Sequence, residues 1–206
     1  MIKTEQDLRA ILGSAEGLAV QKARPSLDKY SRAFIAMSPF LVLSTSNAHG
    51  KADVTPRGDP PGFAQVIDDN TILIPDRPGN NRLDTMVNII ENENVACLFF
   101  IPGFEDTLRI AGRARITNDP ELLRRCVVNG KQPKVGVLIS VDEAFLHCAK
   151  ALKRSKLWQD EYRQDRAQMP SIARIILEQV NEKPVEERLA AEKDRSVEDN
   201  YRDELY

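Results

Sequence analysis

The sequence has few of the residues on which metal sites and disulfide scaffolds depend. Its 206 residues include three cysteines, two histidines and one tryptophan, and aromatic residues make up only 6%. Cys97, Cys126 and Cys148 form no C-x-x-C pair, so we expect neither a disulfide framework nor a thiolate zinc site, and we interpret each thiol as buried and inert. His49 and His147 lack the spacing of a metal motif. We therefore expect no metal and only structural roles for the histidines.

No sign of charge dominates, and no apolar run is long. The 29 basic and 31 acidic residues leave a formal net charge of −2, which argues against a surface built for nucleic-acid phosphates. The longest apolar run, residues 95–101, is far shorter than the roughly 18 residues of a membrane-spanning helix. The first ten residues lack the basic and apolar regions of a signal peptide. We expect a cytoplasmic protein that binds neither membrane nor nucleic acid.

The short motifs of several large enzyme classes are also missing. The sequence contains no G-x-S-x-G, no G-x-x-x-x-G-K-[ST] and no G-x-G-x-x-G. Their absence disfavours an α/β-hydrolase, a P-loop nucleotide-binding protein and a Rossmann dehydrogenase.

The sequence does contain a series of short strands joined by tight turns. Strands are predicted at residues 40–46, 52–57, 62–67, 71–75, 95–101, 107–117 and 134–141. Residues 143–148 could form a last strand, followed by a short helix from about Ala149. Short strands separated by turn residues, as at 47–50, favour an antiparallel barrel over a doubly wound parallel sheet.

Helices are predicted around these strands. They are a capped helix beginning at Thr4, a second between Pro25 and Pro39, and segments 83–91, 120–128 and 170–180. The charged, mostly acidic segment after Pro184 is interpreted as a surface helix or frayed end, with a partner-binding arm as the alternative. We expect one domain over 1–206, with N-terminal helices over about 1–38 and a C-terminal helical extension over about 159–206.

The loop after the fourth predicted strand is a candidate anion site. Residues 75–84 read PDRPGNNRLD, with a helix predicted to start near Asn80 or Asn81. Unpaired N–H groups at a helix N-terminus favour phosphate, and Arg82 adds a charged bidentate donor. The alternative is that Asn80 or Asn81 simply caps the helix while the arginines are solvated.

Two other segments concentrate positive charge. Residues 52–63 form a stiff Pro/Gly-rich connection with Arg57 at its centre, within reach of the 75–82 loop. Such a loop suits a phosphorylated or electron-accepting ligand, although loops of this kind are more often structural. Residues 148–158 carry several basic residues and end at Trp158. We interpret them as an intersubunit contact or a stacking wall for a flat ligand, ahead of an RNA or membrane contact.

Taken in order on short antiparallel strands, four segments resemble the pyridoxamine 5′-phosphate oxidase-like family of FMN-binding split barrels. They also resemble a subgroup described only as FMN-dependent enzymes of unknown substrate. The segments are 53–62 (DVTPRGDPPG), 78–85 (PGNNRLDT), 107–114 (TLRIAGRA) and 147–151 (HCAKA) through 155–158 (SKLW). The resemblance covers about residues 31–158.

This resemblance implies a mainly β fold with flanking helices, a six-stranded antiparallel split β-barrel of Greek-key type. It also implies a homodimer with FMN at the subunit interface. The cofactor-binding residues it implies are Asn81 and Arg82 at the phosphate, Thr55, Arg57, Pro75 and Asp76 along the cofactor, and Lys150, Ser155 and Trp158 from the partner subunit. Arg109 and Arg113 also match family positions, but which of them faces the flavin stays open. No catalytic residue is assigned, because the flavin itself performs the hydride chemistry.

One departure from the family pattern limits the expected reaction. Pyridoxamine phosphate oxidases follow their tryptophan with an Arg-x-His pair, whereas QDEYRQ follows Trp158 here. We therefore expect an FMN-dependent oxidoreductase that exchanges hydride between flavin N5 and an unidentified small molecule, rather than the vitamin B6 reaction. The alternative is a non-catalytic flavin, haem or deazaflavin binding module on the same barrel.

Overall fold

A computed structural model describes residues 1–206 and contains one antiparallel sheet flanked by helices. The sheet has seven strands: β1 (Phe40–Ser46), β2 (Ala52–Gly58), β3 (Gln65–Val66), β4 (Thr71–Pro75), β5 (Asn94–Phe100), β6 (Thr107–Thr117) and β7 (Gly136–His147). Their order is β2-β1-β5-β6-β7-β4-β3, and every neighbouring pair is antiparallel. The prediction of a mainly β, antiparallel fold with flanking helices is confirmed.

The six strands implied by the family resemblance are wrong, because the sheet has seven strands. The strand predicted at 62–67 is present but is only two residues long, β3. β2 and β3 lie at opposite ends of the sheet and do not pair with each other, so the sheet is open. The two strands predicted at 134–141 and 143–148 are one strand, β7. A register shift between Ala111 and Gly112 lets β7 pass Asp142 without ending. Gly112 permits this bulge, since a Cβ there would overlap the Ser140 carbonyl oxygen.

Eight α-helices surround the sheet. They are α1 (Glu5–Leu12), α2 (Leu18–Gln21), α3 (Lys29–Met37), α4 (Asp84–Glu91), α5 (Pro120–Arg124), α6 (Lys150–Ser155), α7 (Ile172–Asn181) and α8 (Glu187–Asp203). The Thr4 hydroxyl accepts the Asp7 N–H and caps α1, as predicted. The short helix α2 was not predicted. The acidic segment after Pro184 forms α8, which packs against α7.

The core lies inside the curved sheet and holds 22 buried apolar residues. Alternate residues of β1 and β5, such as Leu41, Leu43, Val95 and Phe99, face this core, because side chains alternate between the two faces of a strand. α4 connects β4 to β5 and packs on β1, β2 and β6. The chain therefore leaves one end of the sheet after β4 and returns to its middle. None of the helices is both long and apolar enough to span a membrane.

Candidate functional site

The candidate site lies at the seam where the two ends of the sheet approach each other. Arg57 belongs to β2, at one end of the sheet, and Asp76 directly follows β4, next to the other end. Their side chains nevertheless form an ion pair, with 2.6 Å between Arg57 Nη1 and Asp76 Oδ1. The sheet is therefore curled, and side chains rather than backbone hydrogen bonds bridge this seam.

A cavity of about 540 Å³ opens at the seam. Its volume is within the range of small-molecule and cofactor sites. It is lined by 19 residues, of which only four are hydrophobic. Six of the nine predicted cofactor-binding residues lie in this lining: Thr55, Arg57, Pro75, Asp76, Asn81 and Arg82. The structure thus brings the segment around Arg57 and the segment around Asp76 together, although they lie about 20 residues apart in the sequence.

A second ion pair, which was not predicted, holds the same seam. Arg77 Nε lies 2.6 Å from Asp59 Oδ2, and the Asp59 side chain is only 1% exposed. The two pairs have opposite polarity: the arginine belongs to β2 in Arg57–Asp76 and to the facing loop in Asp59–Arg77. The only sequence signal was this reciprocity, an R-x-D segment at 57–59 and an adjacent D-R at 76–77.

The loop of residues 78–83, called the 78–83 loop below, has an unusual backbone. Asn81 has a φ of 55° and Leu83 a φ of 60°, both in the left-handed region. This conformation is ordinary for asparagine but unfavourable for leucine, and such strain often accompanies a binding function. The Asn80 side chain accepts the Arg82 N–H at 3.1 Å and so closes a turn within the loop.

The helix that follows this loop has no side-chain cap. α4 begins at Asp84, one residue after the start of the predicted segment 83–91 and after both Asn80 and Asn81, and Leu83 occupies its N-cap position. Asn80 and Asn81 therefore do not cap it, which contradicts the alternative interpretation of this motif. The N-terminus of α4 keeps its N–H groups without a side-chain partner at the edge of the cavity, and such an arrangement favours an anion.

The side chain of Arg57 also has an unused donor. Arg57 Nε is buried and has no hydrogen-bond partner, although Nη1 pairs with Asp76. A buried guanidinium N–H without an acceptor is costly, and few such groups persist without a reason.

The cavity carries no net formal charge, although the sequence predicted positive charge in both segments that line it. Three arginines (Arg57, Arg77 and Arg82) and three aspartates (Asp53, Asp76 and Asp84) line it, so their formal charges cancel. Arg82 is exposed and pairs with Asp84 at 2.7 Å, and this hydrogen bond raises the pKa of Arg82. Arg57 and Arg77, in contrast, are largely buried within their pairs.

A second cavity, of about 620 Å³, lies on the other side of Val54 and is mostly apolar. Ser155 lines it, whereas Lys150 and Trp158 line neither of the two cavities. Trp158 Nε1 instead donates to the Phe104 carbonyl oxygen at 2.6 Å. Within one chain these three predicted residues are thus separate from the first six, and their assignment to the partner subunit stays a prediction.

The remaining candidate arginines and histidines are exposed. Arg109 lines the second cavity, with its guanidinium carbon 5.5 Å from the centre of the Phe145 ring. Arg113 faces Asp142 at 3.8 Å on the surface, outside both cavities. His147 lines the second cavity and stacks on Phe145, while His49 lies in the β1–β2 turn.

Two of the three thiols fit the expectation of burial and one contradicts it. Burial raises the pKa of Cys97 to about 12, and burial is also the main cause that raises the pKa of Cys126. Cys148 is exposed at the end of β7 and lines the second cavity. It lies beyond the last core-facing residue of that strand, Ala144, so nothing in this chain covers it.

Comparison with known proteins identifies one matching family. The model of the family described as pyridoxamine 5′-phosphate oxidase matches residues 27–148, which is more than half of the chain. That range contains both charged pairs of the seam and the 78–83 loop. A search of curated proteins found no match.

Solved structures resemble the chain more distantly. HupZ from Group A Streptococcus is 18% identical with a TM-score of 0.48, over 58% of this chain and 93% of that chain. A putative pyridoxamine 5′-phosphate oxidase from Lactobacillus delbrueckii is 17% identical with a TM-score of 0.48, over 60% and 98% respectively. General stress protein 26 from Bacillus anthracis is 20% identical with a TM-score of 0.41, over 55% and 88%.

Proposed function

The chain belongs to the pyridoxamine 5′-phosphate oxidase family, and we propose that it is an FMN-dependent oxidoreductase acting on a small molecule. The family is of the flavin-binding oxidoreductase type. The observation that carries the proposal is the seam cavity, where the uncapped N-terminus of α4, Arg82 and Arg57 line one space. These groups suit a ligand that has a phosphate and further hydrogen-bond acceptors.

In this proposal the 78–83 loop and α4 bind the FMN phosphate. Arg82 is exposed, so its guanidinium can exchange Asp84 for a phosphate without crossing the protein interior. The backbone N–H groups at the start of α4 add donors aligned with the helix dipole. Asn81 contributes through its left-handed backbone, which turns the loop around the anion.

The strand residues hold the remainder of the cofactor. Thr55 and Arg57 face the cavity from β2, and Pro75 and Asp76 face it from the end of β4. The Arg57 guanidinium would donate to a ring acceptor, and Asp76 fixes the guanidinium for that contact. Bound FMN would supply hydride transfer at N5, so the chain need supply no nucleophile.

The proposal includes a homodimer, supported by the outer face of the sheet. On β1 and β5 the residues that point away from the core include Val42, Ala96, Leu98 and Phe100, which line the second cavity. An apolar strand face without a covering layer is typical of a subunit interface. In the dimer, Lys150, Ser155 and Trp158 of the second copy would close the cofactor site.

A titration of the purified protein with FMN tests the cofactor assignment. We expect binding at micromolar concentration or below, followed by flavin fluorescence or absorbance. Arg82→Ala should weaken FMN binding by about tenfold or more while riboflavin binding changes little, because only FMN carries the phosphate. Arg115→Ala is the matched control, since Arg115 is exposed, pairs with Glu93 and lies outside both cavities. Equal losses for FMN and riboflavin would contradict the phosphate site.

Stopped-flow reduction separates an enzyme from a binding module. Reduction of the bound flavin by NADH or NADPH, or turnover with a substrate from a dehydrogenation panel, would support the oxidoreductase. A flavin that binds but is neither reduced nor turned over would contradict it. Competition between FMN and a deazaflavin distinguishes the two cofactors.

A further inference from the structure

We propose that Tyr206 is a positioning residue for the 78–83 loop, which it holds in place through Asp59 and Arg77. This inference rests on the proposed function for its effect on FMN, but not for the contact itself. Tyr206 lies 147 residues after Asp59 in sequence, yet its phenol O–H donates to Asp59 Oδ1 at 2.7 Å. α8, about 25 Å long at 1.5 Å per residue, carries the chain to this point.

Tyr206 completes the hydrogen bonding of the buried Asp59 carboxylate. Asp59 uses Oδ2 for Arg77 and Oδ1 for Tyr206, and its side chain is 1% exposed. A buried charge is tolerated only when its oxygens are paired, because water does not reach them. The hydrogen bond to Asp59 is also the main cause of a raised pKa of Tyr206, so the phenol stays protonated as the donor.

The ring of Tyr206 holds Arg77 directly. The guanidinium carbon of Arg77 lies 5.3 Å from the ring centre, a distance at which a cation and an aromatic face attract each other. Arg77 Nη2 donates to the Cys126 carbonyl oxygen at 2.8 Å, and Lys131 Nζ donates to the Tyr206 carbonyl oxygen at 2.7 Å. Tyr206 therefore joins three loops: the connection after β2, the loop after β4 and the turn after α5.

Arg77 is the last fixed point before the 78–83 loop. Asp76 is paired with Arg57 and Arg77 with Asp59, whereas Pro78, Gly79, Asn80, Asn81 and Arg82 are all exposed. The geometry of the proposed phosphate site therefore depends on how firmly Arg77 is held. A loop that is already ordered before binding loses less entropy when the ligand arrives.

Hydrogen–deuterium exchange on the ligand-free protein tests the contact without any assumption about the cofactor. The variants are Tyr206→Phe, which removes the hydroxyl and keeps the ring, and Tyr206→Ala, which removes both. Tyr201→Phe is the matched control, because Tyr201 is an exposed tyrosine of α8. We expect faster exchange in residues 76–83 for Tyr206→Phe, faster still for Tyr206→Ala, and no change for Tyr201→Phe.

The positioning role is tested by comparing two ligands on the same variants. Tyr206→Phe should weaken FMN binding by about fivefold to tenfold and riboflavin binding much less, because the loop it orders contacts only the phosphate. A merely structural role would lower both affinities equally or neither.

The outcomes are distinguishable. Unchanged exchange in residues 76–83 overturns the inference, as does an equal loss of FMN and riboflavin affinity. If the unmodified protein does not bind FMN, the proposed function is contradicted. The exchange data alone then decide whether Tyr206 holds the loop.

Discussion

The two cavities on either side of Val54 differ in polarity and in what forms their walls. The seam cavity is polar, and its walls are fixed by ion pairs between the chain's own residues, Arg57–Asp76 and Arg77–Asp59. The second cavity is mostly apolar and lies between the outer face of the sheet and α6, which covers this face only in part. The walls described for the seam cavity come from one chain, whereas the apolar cavity is only partly covered within that chain. In the proposed function, one chain would bind the anion and a second copy would complete the site.

The largest expected effect comes from breaking the buried pair of the seam. Asp59→Ala leaves Arg77, 15% exposed, without its carboxylate and should lower the free energy of unfolding by about 3 kcal/mol. Denaturant unfolding at neutral pH measures the change. Asp84→Ala is the control, because the Arg82–Asp84 pair borders the same cavity but is exposed and should contribute little. Equal losses in the two variants would mean that buried charge pairs do not hold the seam.

An intermediate effect is expected from placing a charge on the apolar face. Leu98→Asp should weaken self-association by about tenfold or more, since a carboxylate would be buried at the proposed interface. Leu98 pairs across the strands with Arg109, so the new aspartate has a cationic neighbour and the single chain should stay folded. Analytical ultracentrifugation over a range of concentrations measures the dimer fraction. Ile90→Asp, on the exposed face of α4, is the control. An unchanged dimer would remove this face from the interface.

The smallest effect concerns the accessibility of Cys148. At mildly alkaline pH a thiol reagent should label Cys148 fast and the buried Cys97 hardly at all, because only a thiolate reacts and burial raises the Cys97 pKa to about 12. If a second copy covers the apolar cavity, labelling should be a few times faster in Leu98→Asp than in the unmodified protein. Cys148→Ser identifies the fast phase. Identical rates in both proteins would indicate that the second cavity stays open in the dimer.

The strands were predictable where the pattern is local. β1 and β6 have the predicted bounds, because alternating apolar residues and flanking turn residues define a strand without reference to the rest of the chain. The interruption at Asp142 was misread as a strand end, since a bulge depends on the neighbouring strand, and only Gly112 of β6 gives it space. The strand predicted at 62–67 was too long, because only Gln65 and Val66 pair with β4.

The candidate site was only partly predictable. Arg57, Asn81 and Arg82 were identified from residue type and resemblance, and all three line the seam cavity. The importance of Asp59 and Arg77 was missed, because both look like ordinary surface charges in a Pro/Gly-rich loop. Their burial follows from the approach of two loops, not from either segment alone.

The sequence by itself determined most of the strands, the turns and the family, because these depend on side-chain alternation and short motifs within a few residues of each other. Only the tertiary structure decided which charged and polar side chains pair with each other. The curl of the sheet brings Arg57 of β2 to Asp76 beyond β4, and α8 brings Tyr206 to Asp59 across 147 positions. Such pairings depend on the curvature of the whole sheet and the path of the last helices, to which distant residues contribute together.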